Sequence, residues 1–222
     1  MNNITPQNTP VVAIFHKNIY SIFQHYWVEQ CLQSIFNQTH KQYKVYEINY
    51  GTDNLQLWPG SIYEQKPLDN HAQAQNYLFT KIFTNEKNAI IFNTNLDDVY
   101  YQKRIEIQLQ AMQQGYDLVS SNFQICSEDL SPISITEFHN KDIVEEQQKN
   151  HNIICHPVIA ITEKFWKEQG PYYESDYHKS RDEDFGLWKR ATKNNANMII
   201  LPDVLCQYRV HANQTGKITN KR

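Results

Sequence analysis

Over residues 11–123, short apolar runs of strand character alternate with segments of helical period. No other feature of this 222-residue chain limits its fold as tightly. VVAIF at 11–15 is short, β-branched and uncharged, as a strand covered on both faces must be. From Ile22 to Phe36 the period changes. Ile22, Phe23, Tyr26, Trp27, Cys31, Leu32, Ile35 and Phe36 recur three and four apart, which predicts a helix whose wide apolar stripe packs on the sheet. A second strand at 44–48 ends in Asn-Tyr-Gly-Thr-Asp at 49–53, where Gly51 is expected to take a positive φ and turn the chain. A helix over 68–83 follows, with Asp69 or Asn70 as its cap, and then a central strand, AIIFNTN at 89–95. The helix expected over 100–114 closes at Gly115 in the C-cap position, before a strand at 117–123. This order predicts an α/β domain with a central, mostly parallel sheet.

The second half is less regular. Residues 124–155 are polar, with a strand expected in ISITEF and a short charged helix at 141–149. ICHPVIAI at 154–161 reads as a strand, and a short helix through Phe165 and Trp166 reaches Gly170. RDEDFGLWKRATKN at 181–194 is helical in pattern, with acids at its start and Lys189, Arg190 and Lys193 toward its end, both favourable to the helix dipole. MIILPDVLCQYRV at 198–210 supplies one or two strands around Pro202.

Composition excludes several classes. Hydrophobic residues make up 40% of the chain, ample for one substantial core and inconsistent with a disordered protein. A net charge of −3 argues against a nucleic-acid backbone binder, although a metal ion or a helix end can still manage a small phosphorylated ligand. No apolar stretch reaches membrane-spanning length and the polar start MNNITPQNTP is unlike a signal peptide, so a cytoplasmic protein is expected. Cys31, Cys126, Cys155 and Cys206 form no CxxC pair and read as reduced core thiols. Asn and Gln supply 43 of the 222 residues. Amides cannot act as general bases, so the carboxylates become worth questioning one by one.

The sharpest local signal is NTNLDDVY at 93–100. Asp97 and Asp98 follow a buried strand at the edge where open α/β sheets bind ligands. Such acids either coordinate Mg²⁺ or Mn²⁺ or merely cap the following helix. Asp182, Glu183 and Asp184 before Phe185-Gly186-Leu187-Trp188 pose the same choice, between a general base in a cleft and dipole-favouring surface acids. His156 and His211 are either hydrogen-bonded structural residues or contacts to a metal or phosphate; Arg209 pairs with a phosphate or with an acid at the core edge. The chain has no GxSxG elbow, no GxxxxGK loop and no GxGxxG fingerprint.

In order, the pieces resemble an inverting, family 2-like glycosyltransferase of the GT-A fold. CLQSIFNQTHKQYKVYEINYGTDN at 31–54 follows the family's CLxSxxNQTYxxFEIIVVDDGS, and Ala74-Gln75-Asn76 its ARN. TNLDDVYYQKRIEIQ at 94–108 resembles LDADDxxxxxKLExQ; EDFGLWKR at 183–190 resembles EDxxLWxR; YRVHANQT at 208–215 resembles YRxHxxxxS/T. The resemblance covers about 11–215.

It implies one domain over 1–222, with a nucleotide-binding half over about 11–123 and an acceptor-side half over about 124–215. It also implies transfer of a sugar from a nucleotide sugar, taken as a UDP-sugar, to a hydroxyl of a glycan or glycolipid such as a lipopolysaccharide or capsule precursor. Peripheral membrane contact is compatible with this. Asp184 resembles the catalytic base, with Glu183 orienting beside it. Asn49, Tyr50 and Gly51 stand at the nucleotide base and ribose, and Gln75 in the ARN segment. Asn95 and Asp97 hold the DXD positions, with Asp98 the additional acid after them. Asp97, Asn95 and the late His211 are the implied ligands of Mn²⁺ or Mg²⁺. Asn49, Tyr50, Gln75 and Asn95 replace charged residues of the pattern. A non-catalytic carbohydrate-binding or scaffold protein on this fold therefore stays an alternative, and a nucleotidyltransferase is another.

Overall fold

The computed structural model describes residues 8–173 and 183–214. Among these residues nine strands form one mixed, largely parallel sheet of Rossmann-like character. The strands are β1 (Thr9–His16), β2 (Lys44–Asn49), β3 (Ile62–Gln65), β4 (Ala89–Thr94), β5 (Val99–Tyr100), β6 (Leu118–Cys126), β7 (Pro132–Ile135), β8 (Ala160–Thr162) and β9 (Met198–Arg209). Their spatial order is β3-β2-β1-β4-β8-β6-β9-β5, with β7 also on β6. β1 lies parallel to both β2 and β4, and β6 parallel to β9, while β8 is antiparallel to both β4 and β6.

The α-helices among the described residues are α1 (His25–Phe36), α2 (His71–Asn85), α3 (Arg104–Gln113), α4 (Ile143–Gln148), α5 (Glu163–Gln169) and α6 (Glu183–Lys193). Strand alternation sorts the core into two layers. Val11, Ala13 and Phe15 of β1 pack with α2, α5 and α6, whereas Val12 and Ile14 pack with α1 and α3. Each fully buried side chain of this size contributes about 1.5–3 kcal/mol relative to exposure, so both faces of β1 are committed to the core. All four cysteines are buried and free. Among the described residues no helix is long and apolar enough to cross a membrane.

Several local expectations hold. Asn70, not Asp69, caps α2, its Oδ1 accepting the Gln73 amide at 2.9 Å. Gly115 has φ +96 and donates to the Met112 carbonyl at 3.0 Å.

Others need correction. The helix read from Ile22 begins at His25, and Ile22, Tyr26 and Phe36 are exposed; its buried stripe is narrower, through Trp27, Val28, Cys31 and Ile35. Gly51 does not take a positive φ. A Cβ there would meet Asn18 Oδ1 at 2.8 Å and its backbone N at 3.0 Å, so the residue provides room and not a special dihedral. The helix placed at 100–114 starts at Arg104, because Val99–Tyr100 pair with β9 instead. The apolar run at 154–161 is broken by a 3₁₀ turn at His156–Val158, since Pro157 has no N–H for a ladder, and only Ala160–Thr162 is strand. β9 is a single strand. Opposite Ser121 and Asn122 its partners jump from Leu201 to Val204, which leaves Pro202 and Asp203 as a bulge.

Candidate active site at the C-terminal edge of the sheet

β2 and β4 flank β1 on opposite sides, so successive connections diverge between β1 and β4. Ligands of open α/β sheets sit outside the C-terminal strand ends at such a point. Here the edge is made by His16–Asn18 after β1, Asn49–Gly51 after β2, Asn95–Asp98 after β4 and the first turn of α2.

Asp97 and Asp98 do not cap α3, whose N-cap is Lys103. They lie in a tight turn between β4 and β5, closed by the Asp98 amide donating to the Asn95 carbonyl at 3.3 Å. The turn is clamped by the end of β9. Arg209 donates its backbone N–H to Asp98 Oδ1 at 2.9 Å and its Nε to the Asp97 carbonyl at 2.7 Å. The guanidinium also bonds Gln30 Oε1 at 2.7 Å and lies over the Trp27 ring. Asp97 Oδ2 meets His211 Nε2 at 3.0 Å, so the turn and the late histidine, 114 positions apart, share one site. Trp27 and Phe23 border the His211 ring. Asp98 is 1% exposed, and burial, then the charge of Asp97, pushes its carboxyl well above the usual range. Its Oδ2 has no partner among the described residues.

Asn95 is half-buried, its backbone held by the Tyr100 hydroxyl at 2.8 Å and its Oδ1 3.4 Å from Asn93 Nδ2. Among the described residues no group of three His, Cys, Asp or Glu side chains converges as a metal cage. Magnesium and manganese are commonly held by one or two carboxylates, with phosphate oxygens and water completing the shell. The Asp97–His211 donor set therefore fits an ion that arrives with a diphosphate, and does not fit a structural ion.

The Asn49 side chain faces its own loop. Its Nδ2 donates to the Asp53 carbonyl at 2.6 Å, Asp53 Oδ1 at 3.2 Å and the Leu55 carbonyl at 3.2 Å, while its Oδ1 accepts the Gly51 amide at 2.9 Å. Tyr50 is half-buried, with its hydroxyl 3.5 Å from His71 Nδ1 and Lys17 over its ring. Gln75 is fully buried on α2, with Nε2 3.1 Å from His156 Nε2. Glu183 is buried and Asp184 half-buried on the first turn of α6, where Asp184 Oδ2 accepts from Asn152 at 3.2 Å. Asp182 lies outside the described residues.

Electrostatics ties these pieces together. The Cys155 thiol is pushed up by burial and by the charges of both Asp98 and Asp184. The β4 turn and the start of α6 therefore act on one residue between them. Burial, and then His156, take His71 down to about 3, with Asp97 opposing the shift.

Sequence reasoning missed two features of this edge. One is the buried His16–Glu47 pair, Nε2 to Oε1 2.9 Å, in which Glu47 also takes the amides of Leu57 and Trp58 and the hydroxyl of Ser61. The other is His71 beside the α2 cap, for which the Asn70 cap signal was the available clue.

No family profile and no curated protein matches the chain. Solved structures do. Staphylococcus aureus TarS superposes with a TM-score of 0.63 over 91% of this chain and 37% of that one, at 12% identity. Its 1–349 fragment in complex with UDP gives 0.64 over 91% and 60%, and in complex with UDP-GlcNAc 0.64 over 95% and 62%, each at 12% identity. The chain thus spans 37–62% of the length of these structures, and what it shares with them is the fold.

Proposed function

We propose that this chain is an inverting glycosyltransferase that moves a sugar from a nucleotide sugar, with UDP as the nucleotide, to a hydroxyl of a glycan or glycolipid. The observation that carries the reading is the Asp97–His211 pair at the switch point of the sheet, in a fold shared with structures that hold UDP and UDP-GlcNAc. In this reading the loop pinned by Asn49, with Tyr50 and Gly51, borders the nucleoside. Asp97, His211 and Asn95 face the diphosphate and would hold Mn²⁺ or Mg²⁺. When bound, the ion supplies positive charge against the departing diphosphate. Asp98 and Arg209 keep the turn in place. Asp184 takes the proton of the acceptor hydroxyl as its oxygen attacks the anomeric carbon in line, and Glu183 orients the start of α6 beside it.

The test combines calorimetry with UDP, with and without Mn²⁺, and UDP release over a panel of UDP-sugars and acceptors. Wild type is expected to bind UDP more tightly with Mn²⁺, and Asp97→Ala to lose that gain. Asp184→Asn should keep UDP affinity and lose about 10²-fold or more in transfer. Equal turnover by wild type and D184N would remove Asp184 as the base. A folded wild type that binds sugars yet releases no UDP with any pair favours the non-catalytic carbohydrate-binding alternative.

A further inference from the structure

His156 was ambiguous in the sequence; its surroundings in the fold are not. It opens the 3₁₀ turn before β8, beside the end of β4, and its carbonyl accepts Asn93 Nδ2 at 3.1 Å. Its Nε2 lies 2.9 Å from the Tyr172 hydroxyl and 3.1 Å from Gln75 Nε2. Tyr172 is 1% exposed and burial drives its pKa well up, so the hydroxyl keeps its proton. Among the described residues that proton has one acceptor, His156 Nε2, and leaving it unmet in a buried place would cost about 1–3 kcal/mol. Nε2 is therefore the acceptor nitrogen. The ring proton sits on Nδ1, which has no partner among the described residues, on a half-buried ring. Burial also takes His156 down to about 4, so the ring is neutral near pH 7. Beside it, Gln75 is 0% exposed and its Oε1 has no partner among the described residues.

One unmet donor and one unmet acceptor, both uncharged and carried by two side chains in contact, match a hydroxyl group, which accepts and donates at once. A carboxylate or phosphate would find the Gln75 acceptor against it. The location agrees. On one side His156 acts on His71, which also feels Asp97 of the diphosphate side; on the other, Tyr172 feels Asp184 and Glu183. In an in-line transfer the sugar lies between leaving group and base. We propose that His156, with its tautomer fixed by Tyr172, and Gln75 form the subsite that reads a hydroxyl of an uncharged transferred sugar. This rests on the nucleotide-sugar reading above. His156 and Gln75 touch the sugar, and Tyr172 is a positioning residue.

UDP and UDP-GlcNAc separate the two ideas, because only the second carries a sugar. Calorimetry on wild type, His156→Ala, Gln75→Leu and Tyr172→Phe is expected to show unchanged UDP affinity in all four. UDP-GlcNAc affinity should fall by about five- to ten-fold in each variant, the size of one lost hydrogen bond. Nitrogen-15 spectra should show the wild-type His156 proton on Nδ1, and in Y172F a mixture of tautomers. Loss of both ligands in equal measure, or of neither, overturns the subsite, as does a wild-type ring protonated on Nε2. If wild type binds neither UDP nor UDP-GlcNAc, the nucleotide-sugar reading fails and takes the sugar assignment with it. The folded state of H156A, which removes a packed ring, is checked against Y172F, which retains one.

Discussion

Replacing Asn49 by Asp installs the acid that the family pattern carries at the end of this strand, and the structure predicts that it harms the fold. The side chain is 0% exposed. Its two amide protons serve three acceptors, and one of these is the Asp53 carboxylate, 3.2 Å away. An aspartate keeps the bond from the Gly51 amide but brings no donor. Two lost hydrogen bonds cost about 2 kcal/mol together. A second carboxylate this close to the first would repel it by about 4–5 kcal/mol at an effective dielectric of 20, a value that half-exposure of Asp53 reduces. The introduced carboxyl responds by holding its proton, so its folded pKa rises above the unfolded value near 4. A group raised in this way destabilises most at pH values above its folded pKa, and the penalty shrinks as pH falls toward the unfolded pKa. The expected loss for N49D is about 3 kcal/mol at pH 7. With a urea slope of about 2–3 kcal/mol/M, that is a midpoint lower by about 1 M. At pH 4 the gap should narrow toward the cost of the lost amide protons. A wild-type midpoint at pH 7, or a deficit that does not shrink on acidification, refutes the reasoning. Tighter UDP binding by N49D would show that position 49 faces the nucleotide after all.

Two further outcomes follow from the same edge. Gly51→Ala should lose about 1–3 kcal/mol through contact with Asn18, and weaken UDP binding as the 49–53 loop shifts. Gly115→Ala, with open space but φ +96, should lose about 1 kcal/mol and leave UDP affinity unchanged; thermal melts with and without UDP separate the two. Although burial pushes the Glu47 carboxyl up, hydrogen bonds from His16, the Leu57 amide, Ser61 and the Trp58 amide hold it below its usual 4.5. Its stabilisation is therefore full above about pH 4.5 and is lost as pH falls through the lower folded pKa. Glu47→Gln should cost about 2 kcal/mol at pH 7 and progressively less as pH falls below about 4.5, read from urea midpoints, and a deficit that does not shrink on acidification would exclude the carboxylate as the source.

Elements with a local cause were legible in the chain. The Asn70 cap and the Gly115 C-cap depend on residues within a turn of each other. β5 was not, because two residues carry no period and Val99–Tyr100 become a strand only against Gln207 and Cys206 of β9. ICHPVIAI misled because hydrophobicity outweighed Pro157. In the site, acids at 97 and 184 were visible as residue types, and resemblance supplied their grouping. What no pattern could supply was pairing at a distance. Arg209 closes the Asp97–Asp98 turn from more than a hundred positions away, and His16 finds Glu47 on the neighbouring strand. The amide at 49 looked like a carboxylate replaced, yet its protons are what hold the loop, a fact that only the fold reveals.

β8 has a mechanical consequence. It is three residues long, and through it β4, which leads into Asp97, is joined to β6, the neighbour of β9. Five residue pairs fix the whole offset: Ile90, Ile91 and Phe92 on one side of β8, Leu118 and Val119 on the other. One step of register along a strand is about 3.3 Å and turns every side chain to the opposite face. Proximity in a transfer reaction is lost within about 1 Å. A single inserted or deleted residue between Cys155 and Thr162 should therefore displace the Asp97 turn from the end of β9 and, under the proposed function, abolish transfer, whereas length changes at the exposed strand Pro132–Ile135 should be tolerated. The chain tolerates variation by the ruler it lacks at its surface and forbids it at the short one inside.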